Sequence, residues 1–172
     1  MSLRDSIQIA LLLAIGTLLH LVIPGYGGGI KPDLLLSMLF IILMMYKNSK
    51  TAALAGFLAG LLSALTTSMP GGQIPNVVDK LITTIAVYFL IKYLSGKVNS
   101  KIISLLVGIV GTLISGSVFL LCTLIIVGLP ASFEFLFATV VLPATLANAI
   151  VVLILYPVVV FSKKTIETTI AK

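Results

Sequence analysis

Long apolar segments alternate with short polar breaks along almost the whole chain. A membrane-spanning helix needs about 20 apolar residues, with a range of roughly 17–25. On this pattern we predict five helices, with the second one short, at about Ile7–Ile23, Pro32–Tyr46, Thr51–Ser68, Pro75–Leu94 and Ile102–Val127. A sixth predicted helix ends near Phe161. The pattern therefore predicts an all-α integral membrane protein with six transmembrane helices.

The start of the sixth helix has two interpretations, because Pro143 lies inside the apolar run. Either one helix runs from Ser132 and kinks at the proline, or a new helix begins with Pro143 in its first turn. We favour the second interpretation. It makes Phe133–Val141 a short helical piece at the outer surface.

The composition excludes a water-soluble protein. Hydrophobic residues make up 59% of the 172 residues and charged residues only 9%, whereas soluble domains carry about 25% charge. Mean hydropathy is +1.25. We therefore predict a single transmembrane domain over residues 1–172. With one His and one Cys, the chain offers almost no support for a metal site, and we predict neither a metal nor a cofactor.

The basic residues indicate how the helices are oriented. If six helices cross the membrane, nine of the 11 basic residues fall on the side of the termini, and only Lys31 and Lys80 fall opposite. Positive residues favour the cytoplasmic side, so we predict that both termini are cytoplasmic. The net charge of +6 then signals topology and attraction to lipid, and no nucleic-acid partner is needed to explain it.

Turn-forming sequences precede the three helices whose N-termini would point outward. These sequences are Gly27–Asp33, Pro70–Asn76 and Leu142-Pro143. Helix N-termini present free N–H groups and partial positive charge, which suit an anionic ligand group. We therefore expect the outer half of the bundle to bind a solute that carries a carboxylate.

The fourth helix carries a polar face. Asn76, Asp79, Lys80 and Thr83 have the spacing of one helical face and could bind a zwitterion if that face points inward. Two alternatives remain open. Asn76 and Asp79 could form a capping box, or Asp79 and Lys80 could extend to the membrane surface as anchors.

Other polar residues complete the predicted site. Asn148 is a lone amide in an apolar helix, so it either contacts the ligand or bonds a neighbouring helix. Lys31 and Asp33 could be solvent-exposed charges or, for Lys31, a ligand for a carboxylate. The predicted substrate-binding residues are Lys31, Gly72, Gln73, Asn76, Asp79, Lys80 and Asn148.

Small residues recur at helical spacing on several helices. Gly56, Gly60 and Ala64 form one such stripe, and Gly108, Thr112 and Gly116 form another. These stripes favour close helix packing within the bundle. The first helix carries Ala10 and Ala14 one turn apart, a weak pattern by itself.

Several of these motifs resemble a known family. Ala10 and Ala14 match the A-x-x-x-A of the substrate-binding S components of energy-coupling factor (ECF) transporters, which are six-helix membrane proteins. The more specific resemblance is to the tryptophan transporter family within that group. It rests on Lys31-Pro32-Asp33, on Ser63–Thr67, on the Pro70–Asn76 run and on Asp79-Lys80.

The resemblance implies a function and partners. An S component of this type captures L-tryptophan from outside a prokaryotic cell and topples within the membrane. A transmembrane coupling subunit, which docks on Ala10 and Ala14, and two cytoplasmic ATPases reset it. The chain has no Walker A motif, which agrees with ATP hydrolysis by partners and with a chain that is not an enzyme. The alternative is a stand-alone secondary transporter for an aromatic amino acid or related small solute.

Overall fold

A computed structural model describes residues 3–24 and 33–170 of the chain. Within these residues the named elements of secondary structure are all helical. Each of the first five predicted helices is present within a few residues of its predicted bounds. The elements are α1 (Leu3–Val22), α2 (Leu34–Met45), α3 (Ser49–Leu65), α4 (Gln73–Leu94), α5 (Ser100–Ile126), α6 (Phe133–Leu136), a π-helical turn (Phe137–Val141) and α7 (Leu142–Ile170). The prediction of an all-α protein is confirmed for these residues.

The prediction for the Pro143 region is confirmed in part: α7 begins at Leu142 with Pro143 in its first turn, after a short helical piece over residues 133–141, but the two pieces are continuous. Helical backbone runs without a break from Phe133 through the π turn into α7, and Pro143 lies just after that turn. The Leu142 N–H donates to the Phe137 carbonyl, five residues back. Proline has no N–H and crowds the carbonyl four residues earlier, so an ordinary α-turn is disfavoured here. The wider turn lets the helix continue past it.

The short helix α2 forms the centre of the bundle. Its residues from Leu35 to Met44 are all buried, and Leu35, Leu39, Phe40, Ile41 and Ile42 have no exposed surface. Its 12 residues span about 18 Å, less than the roughly 30 Å of a hydrocarbon core. A helix that is apolar all round and this short must be covered by its neighbours.

Four helical segments within the described residues are long and apolar enough to cross a membrane. They are Leu3–Val22, Gln73–Leu94, Ser100–Ile126 and Phe133–Ile166. The helices α2 and α3 are apolar but shorter. The structure thus supports a multi-pass membrane protein.

The predicted small-residue stripes pack within the bundle. A Cβ atom at Gly108 would lie 2.5 Å from the Ala149 Cα atom, so α5 and α7 touch backbone to backbone there. At Gly60, the added atom would lie 3.2 Å from the Val77 Cα atom on α4. Glycine is therefore required where these helices meet.

Side-chain contacts identify the two ends of the bundle. At one end, His20 of α1 lies 2.6 Å from the Thr66 hydroxyl that follows α3, and we name this the His20 end. At the other end, Lys163 pairs with Asp5 at 3.1 Å and lies over the Tyr46 ring, and we name this the Lys163 end. The second group joins the start of α1, the end of α2 and the last part of α7.

Candidate functional site

A cavity opens inside the bundle at the His20 end. Its empty space, counted out to the open mouth, is about 600 Å³. Residues from α1, α2, α4, α5, the π turn and α7 line it, together with Thr67 of the α3–α4 connection. At the start of α2, Asp33 and Leu36 contribute to this lining.

Buried charges from two helices meet in this cavity. The Lys80 ammonium lies 2.6 Å from Asp33 Oδ2 and 2.5 Å from Asp79 Oδ2. The Lys80 and Asp79 side chains are each only 1% exposed, and Asp33 is 15% exposed. Asp79 Oδ1 also accepts a hydrogen bond of 2.9 Å from the Thr83 hydroxyl. We call Asp33, Asp79 and Lys80 the charged cluster.

Local structure explains why Asp33 reaches Lys80. Asp33 caps the N-terminus of α2, where its Oδ1 accepts from the Leu36 N–H at 3.2 Å. Its other oxygen points to α4. The Lys80 stem lies against α3 because Gly60 has no side chain; a Cβ there would be 3.4 Å from the Lys80 Cβ.

Both structural alternatives for the polar face of α4 are wrong. The helix begins at Gln73 with Gly72 at the cap position, and the Asn76 side chain donates to the Gly72 carbonyl at 2.8 Å. Asn76 and Asp79 therefore form no capping box. Asp79 and Lys80 do not extend to the surface, since Asn76, Asp79, Lys80 and Thr83 are all buried.

The charged cluster contains two carboxylates and one ammonium, so it holds an excess of one negative charge when all three are ionised. Lysine has three N–H donors, and the two carboxylates use two of them. Each carboxylate has about four acceptor sites, so its acceptor capacity exceeds the bonds it makes. Chemically, the cluster suits a ligand that brings an ammonium group beside a smaller anionic group.

Asn148 of α7 lies deeper in the cavity and bonds two neighbouring helices. Its Oδ1 accepts from the Ser37 hydroxyl of α2 at 2.7 Å, and its Nδ2 donates to the Thr112 hydroxyl of α5 at 3.2 Å. Asn148 has no exposed surface in the fold, yet it lines the cavity. The helix–helix bond anticipated as the alternative is therefore present.

Apolar side chains make up much of the remaining lining of the cavity, and we call them the apolar wall. They come from α5, the π turn and the start of α7, and comprise Phe119, Leu120, Val140, Val141 and Ala144. Gly116 of α5 also lines the cavity, and a Cβ there would meet the Val141 side chain at 2.5 Å. The lining thus combines the charged cluster with an apolar wall.

The structure brings together four of the seven predicted site residues. Asn76, Asp79, Lys80 and Asn148 line the cavity. Gly72 and Gln73 do not line it; Gly72 packs against Thr67, and Gln73 is exposed. Lys31 lies outside the described residues, as does the Gly25–Gly29 loop.

Sequence reasoning missed other residues of the cavity. Asp33 was interpreted as a solvent-exposed charge, although an Asp directly before an apolar helix is a helix-capping signal that locates it at the helix end. His20 lines the cavity as well. Its position in the last turn of an apolar helix was the available signal, but its partners lie on other helices.

Ala10 and Ala14 lie on an exposed face of α1, away from the core of the chain. The same face presents Ile7, Leu11 and Leu18, which are 59%, 60% and 62% exposed. These two alanines therefore do not serve packing within this chain.

Long apolar helices around a cavity with buried charges define a multi-pass membrane protein with a polar internal site. The sequence comparisons assign it more narrowly. Residues 2–164 match the family model described as "Tryptophan transporter TrpP", and the chain belongs to that family.

Curated relatives cover nearly all of the chain. It is 49% identical over 156 residues to a protein of Clostridium acetobutylicum, covering 91% of both chains. It is 40% identical over 159 residues to a protein of Bacillus subtilis, covering 92% of both. Each is named "Probable tryptophan transport protein". No solved structure matches the chain.

Proposed function

We propose that this protein is the S component of an ECF transporter and captures L-tryptophan from outside the cell for ATP-driven uptake. The observation that carries the proposal is the cavity itself. Its lining combines buried acidic and basic groups with an apolar wall, in a member of a tryptophan transporter family. An amino acid with a large apolar side chain has the same division of chemistry.

The His20 end is proposed as the outer end of the molecule. Most basic residues lie in segments that meet at the Lys163 end or flank the α4–α5 connection. They are Arg4, Lys47, Lys50, Lys92, Lys97, Lys101, Lys163 and Lys164. The positive-inside rule then places that end in the cytoplasm. With all six helices crossing, both termini are cytoplasmic and the cavity opens outward.

The charged cluster is proposed to hold the amino-acid head group. The ligand ammonium binds the carboxylates of Asp33 and Asp79, which carry the excess negative charge. The ligand carboxylate accepts the third Lys80 hydrogen and a hydrogen of the Asn76 amide. Lys80 would thus contact the ligand carboxylate, as expected from the sequence, while Asp33 and Asp79 hold the Lys80 ammonium in place.

The indole ring is proposed to lie along the apolar wall with its N–H directed toward Asn148. The Asn148 oxygen has two lone pairs, and Ser37 uses one of them. A side-chain oxygen at this depth lets the site distinguish an indole from a plain phenyl ring, since a buried N–H without a partner is costly.

The exposed face of α1 is proposed as the docking surface for the transmembrane coupling subunit. Ala10 and Ala14 leave a shallow depression between larger apolar side chains, and small residues permit close helix approach. Two cytoplasmic ATPases, acting through the coupling subunit, would supply the energy. The chain itself would perform no catalysis.

A stand-alone secondary transporter is the second candidate, and the charged cluster is the observation that favours it. Buried ionisable residues in membrane helices also form proton and ion relays. In that case tryptophan uptake would follow an ion gradient and would need neither partner subunits nor ATP.

Two measurements test the proposal. Isothermal titration of the detergent-purified protein against the twenty amino acids should show tryptophan binding, and Asp33→Asn should abolish it while Lys163→Met at the opposite end should not. Tryptophan uptake by proteoliposomes should then require the coupling subunit, the ATPases and ATP. Uptake by the chain alone, driven by a proton or sodium gradient, would exclude the S-component role.

A further inference from the structure

The π turn decides which side chain of α6 and the π turn itself packs in the buried apolar cluster that supplies part of the cavity wall. In a continuous α-helix, residues three, four and seven positions before Ala144 share its face. Those residues are Val141, Val140 and Phe137. The phenyl ring of Phe137 would then lie in line with the cavity wall.

The observed structure differs at Phe137. Leu136 is 1% exposed and belongs to the same buried apolar cluster as Met69, Leu120, Val140 and Val141. Phe137 is only partly buried at the edge of this cluster and stacks on Phe133, with ring centroids 5.9 Å apart and planes 18° apart. The extra residue in the π turn has rotated α6 by about one residue, or roughly 100°.

This rotation affects the cavity because three members of the cluster line it. Leu120, Val140 and Val141 lie on the cavity wall, with Leu136 packed among them in the same cluster. Side chains in such a cluster are close-packed, so a larger residue at position 136 would push the wall inward. Wide turns of this kind occur frequently at functional sites.

We propose that the π turn makes Leu136 the residue that limits the size of the side chain the cavity accepts, by keeping the larger Phe137 out of the buried cluster. This inference rests on the proposed binding of tryptophan. A phenyl ring at position 136 would displace Val140 and Val141 into the volume that a bicyclic indole needs. Leu136 does not touch the ligand; it determines where Val140 and Val141 lie.

The first test exchanges the two residues. The double variant Leu136→Phe/Phe137→Leu keeps the composition and places a ring in the cluster. Tryptophan affinity should fall at least about tenfold, because overpacking a filled apolar site is costly. The affinity of the smaller amino acid leucine, if measurable, should fall less. Phe137→Leu alone is the matched control and should change tryptophan affinity less than about threefold.

A second pair of variants decides the question if the exchanged protein does not fold. Leu136→Ala should bind a ring-brominated tryptophan better relative to tryptophan than the wild type does, whereas Phe137→Ala should leave that ratio unchanged. Equal ratios in both variants, or a larger change in Phe137→Ala, would overturn the inference. Wild-type protein that fails to bind tryptophan would instead refute the proposed function.

Deletion of Ala138 tests the role of the turn. Ala138 is exposed, and removing one residue from the π turn restores α-helical spacing while keeping Leu136 and Ala144 on one face. Because Pro143 then crowds the carbonyl four residues earlier, the deletion should lower the stability of the protein, so affinity is measured on the folded fraction. Tryptophan affinity should therefore survive the deletion within about threefold. The deletion could instead lower the affinity, and adding Phe137→Leu could then restore it. That result would show that the Phe137 ring had entered the cluster, and it would contradict the position assigned to Leu136.

Discussion

The ammonium of Lys80 on α4 lies 2.6 Å from the carboxylate of Asp33, the residue that caps α2. This pair ties α2, the short helix at the centre of the bundle, to one of the long helices, and Asp79 completes it from the same turn as Lys80. The charges most able to recognise an amino acid therefore also hold the two helices at the cavity in register.

Breaking the charged cluster should cost both stability and binding. Lys80→Met leaves two buried carboxylates without their cation, and loss of one partner of a buried ion pair typically costs about 3–5 kcal/mol. Thermal unfolding in detergent measures this loss. Lys163→Met removes a partly exposed pair with Asp5, whose side chains are 25% and 26% exposed, and should cost only about 1 kcal/mol. Equal losses for the two variants would contradict a structural role of the cluster.

Asn148 should contribute to both stability and affinity. Asn148→Leu leaves the buried Ser37 hydroxyl without its partner, so we expect a loss of about 1–3 kcal/mol of stability. Ser37→Ala removes the same helix–helix bond but keeps the amide. If Asn148 also accepts the indole N–H, Asn148→Leu should weaken tryptophan binding about 5- to 150-fold more than Ser37→Ala. Equal affinities of the two variants would limit Asn148 to a helix-linking role.

Labelling with an impermeant thiol reagent should establish the orientation. In a Cys122→Ala background, Gln73→Cys at the His20 end should react in intact cells, and Asn48→Cys at the α2–α3 connection should react only after the membrane is opened. Both positions are exposed in the fold, so accessibility within the protein does not distinguish them. The reverse pattern would place the cavity on the cytoplasmic side.

Bulky residues on the exposed face of α1 should separate binding from uptake. Ala10→Trp and Ala14→Trp should abolish uptake by the complete transporter while tryptophan binding to the isolated protein is retained, because neither residue packs in the core. Ile154→Trp is the control, since Ile154 is 58% exposed on α7, away from α1. If the Ala10→Trp and Ala14→Trp variants retain uptake as the Ile154→Trp variant does, docking on this face of α1 is ruled out.

Close packing of α5 on α7 should make Gly108 sensitive to a single methyl group. Gly108→Ala brings the new atom within 2.5 Å of the Ala149 backbone, so the helices must separate, and we expect a loss of about 1–3 kcal/mol. At Gly116 the three atoms nearest to an added Cβ all belong to the Val141 side chain, which yields more readily than helix backbone. Detergent melting temperatures should therefore fall further for Gly108→Ala than for Gly116→Ala.

The sequence by itself determined the class of protein and most helix bounds. In a chain with 9% charged residues, apolar runs of helical length predict membrane helices and little else. Stripes of small residues such as Gly56 and Gly60 predict close helix packing from their spacing alone. The same periodicity placed Asn76, Asp79 and Lys80 on one face. The cost of polar groups in lipid favours burial of that face, but extension of Asp79 and Lys80 to the membrane surface remained open, and the structure decided between the two.

Only the tertiary structure decided how that face is used. Asp33 and Lys80 are far apart in the chain, and no local pattern states that the cap of one helix meets a lysine of another. Asn148 likewise depends on Ser37 and Thr112 from two other helices. The π turn changes the register of Leu136 and Phe137 because it relieves a backbone conflict at Pro143. A proline in a helix can be accommodated by a kink, a break or a wider turn. Packing against α5 and against Met69 of the α3–α4 connection determines which of these forms.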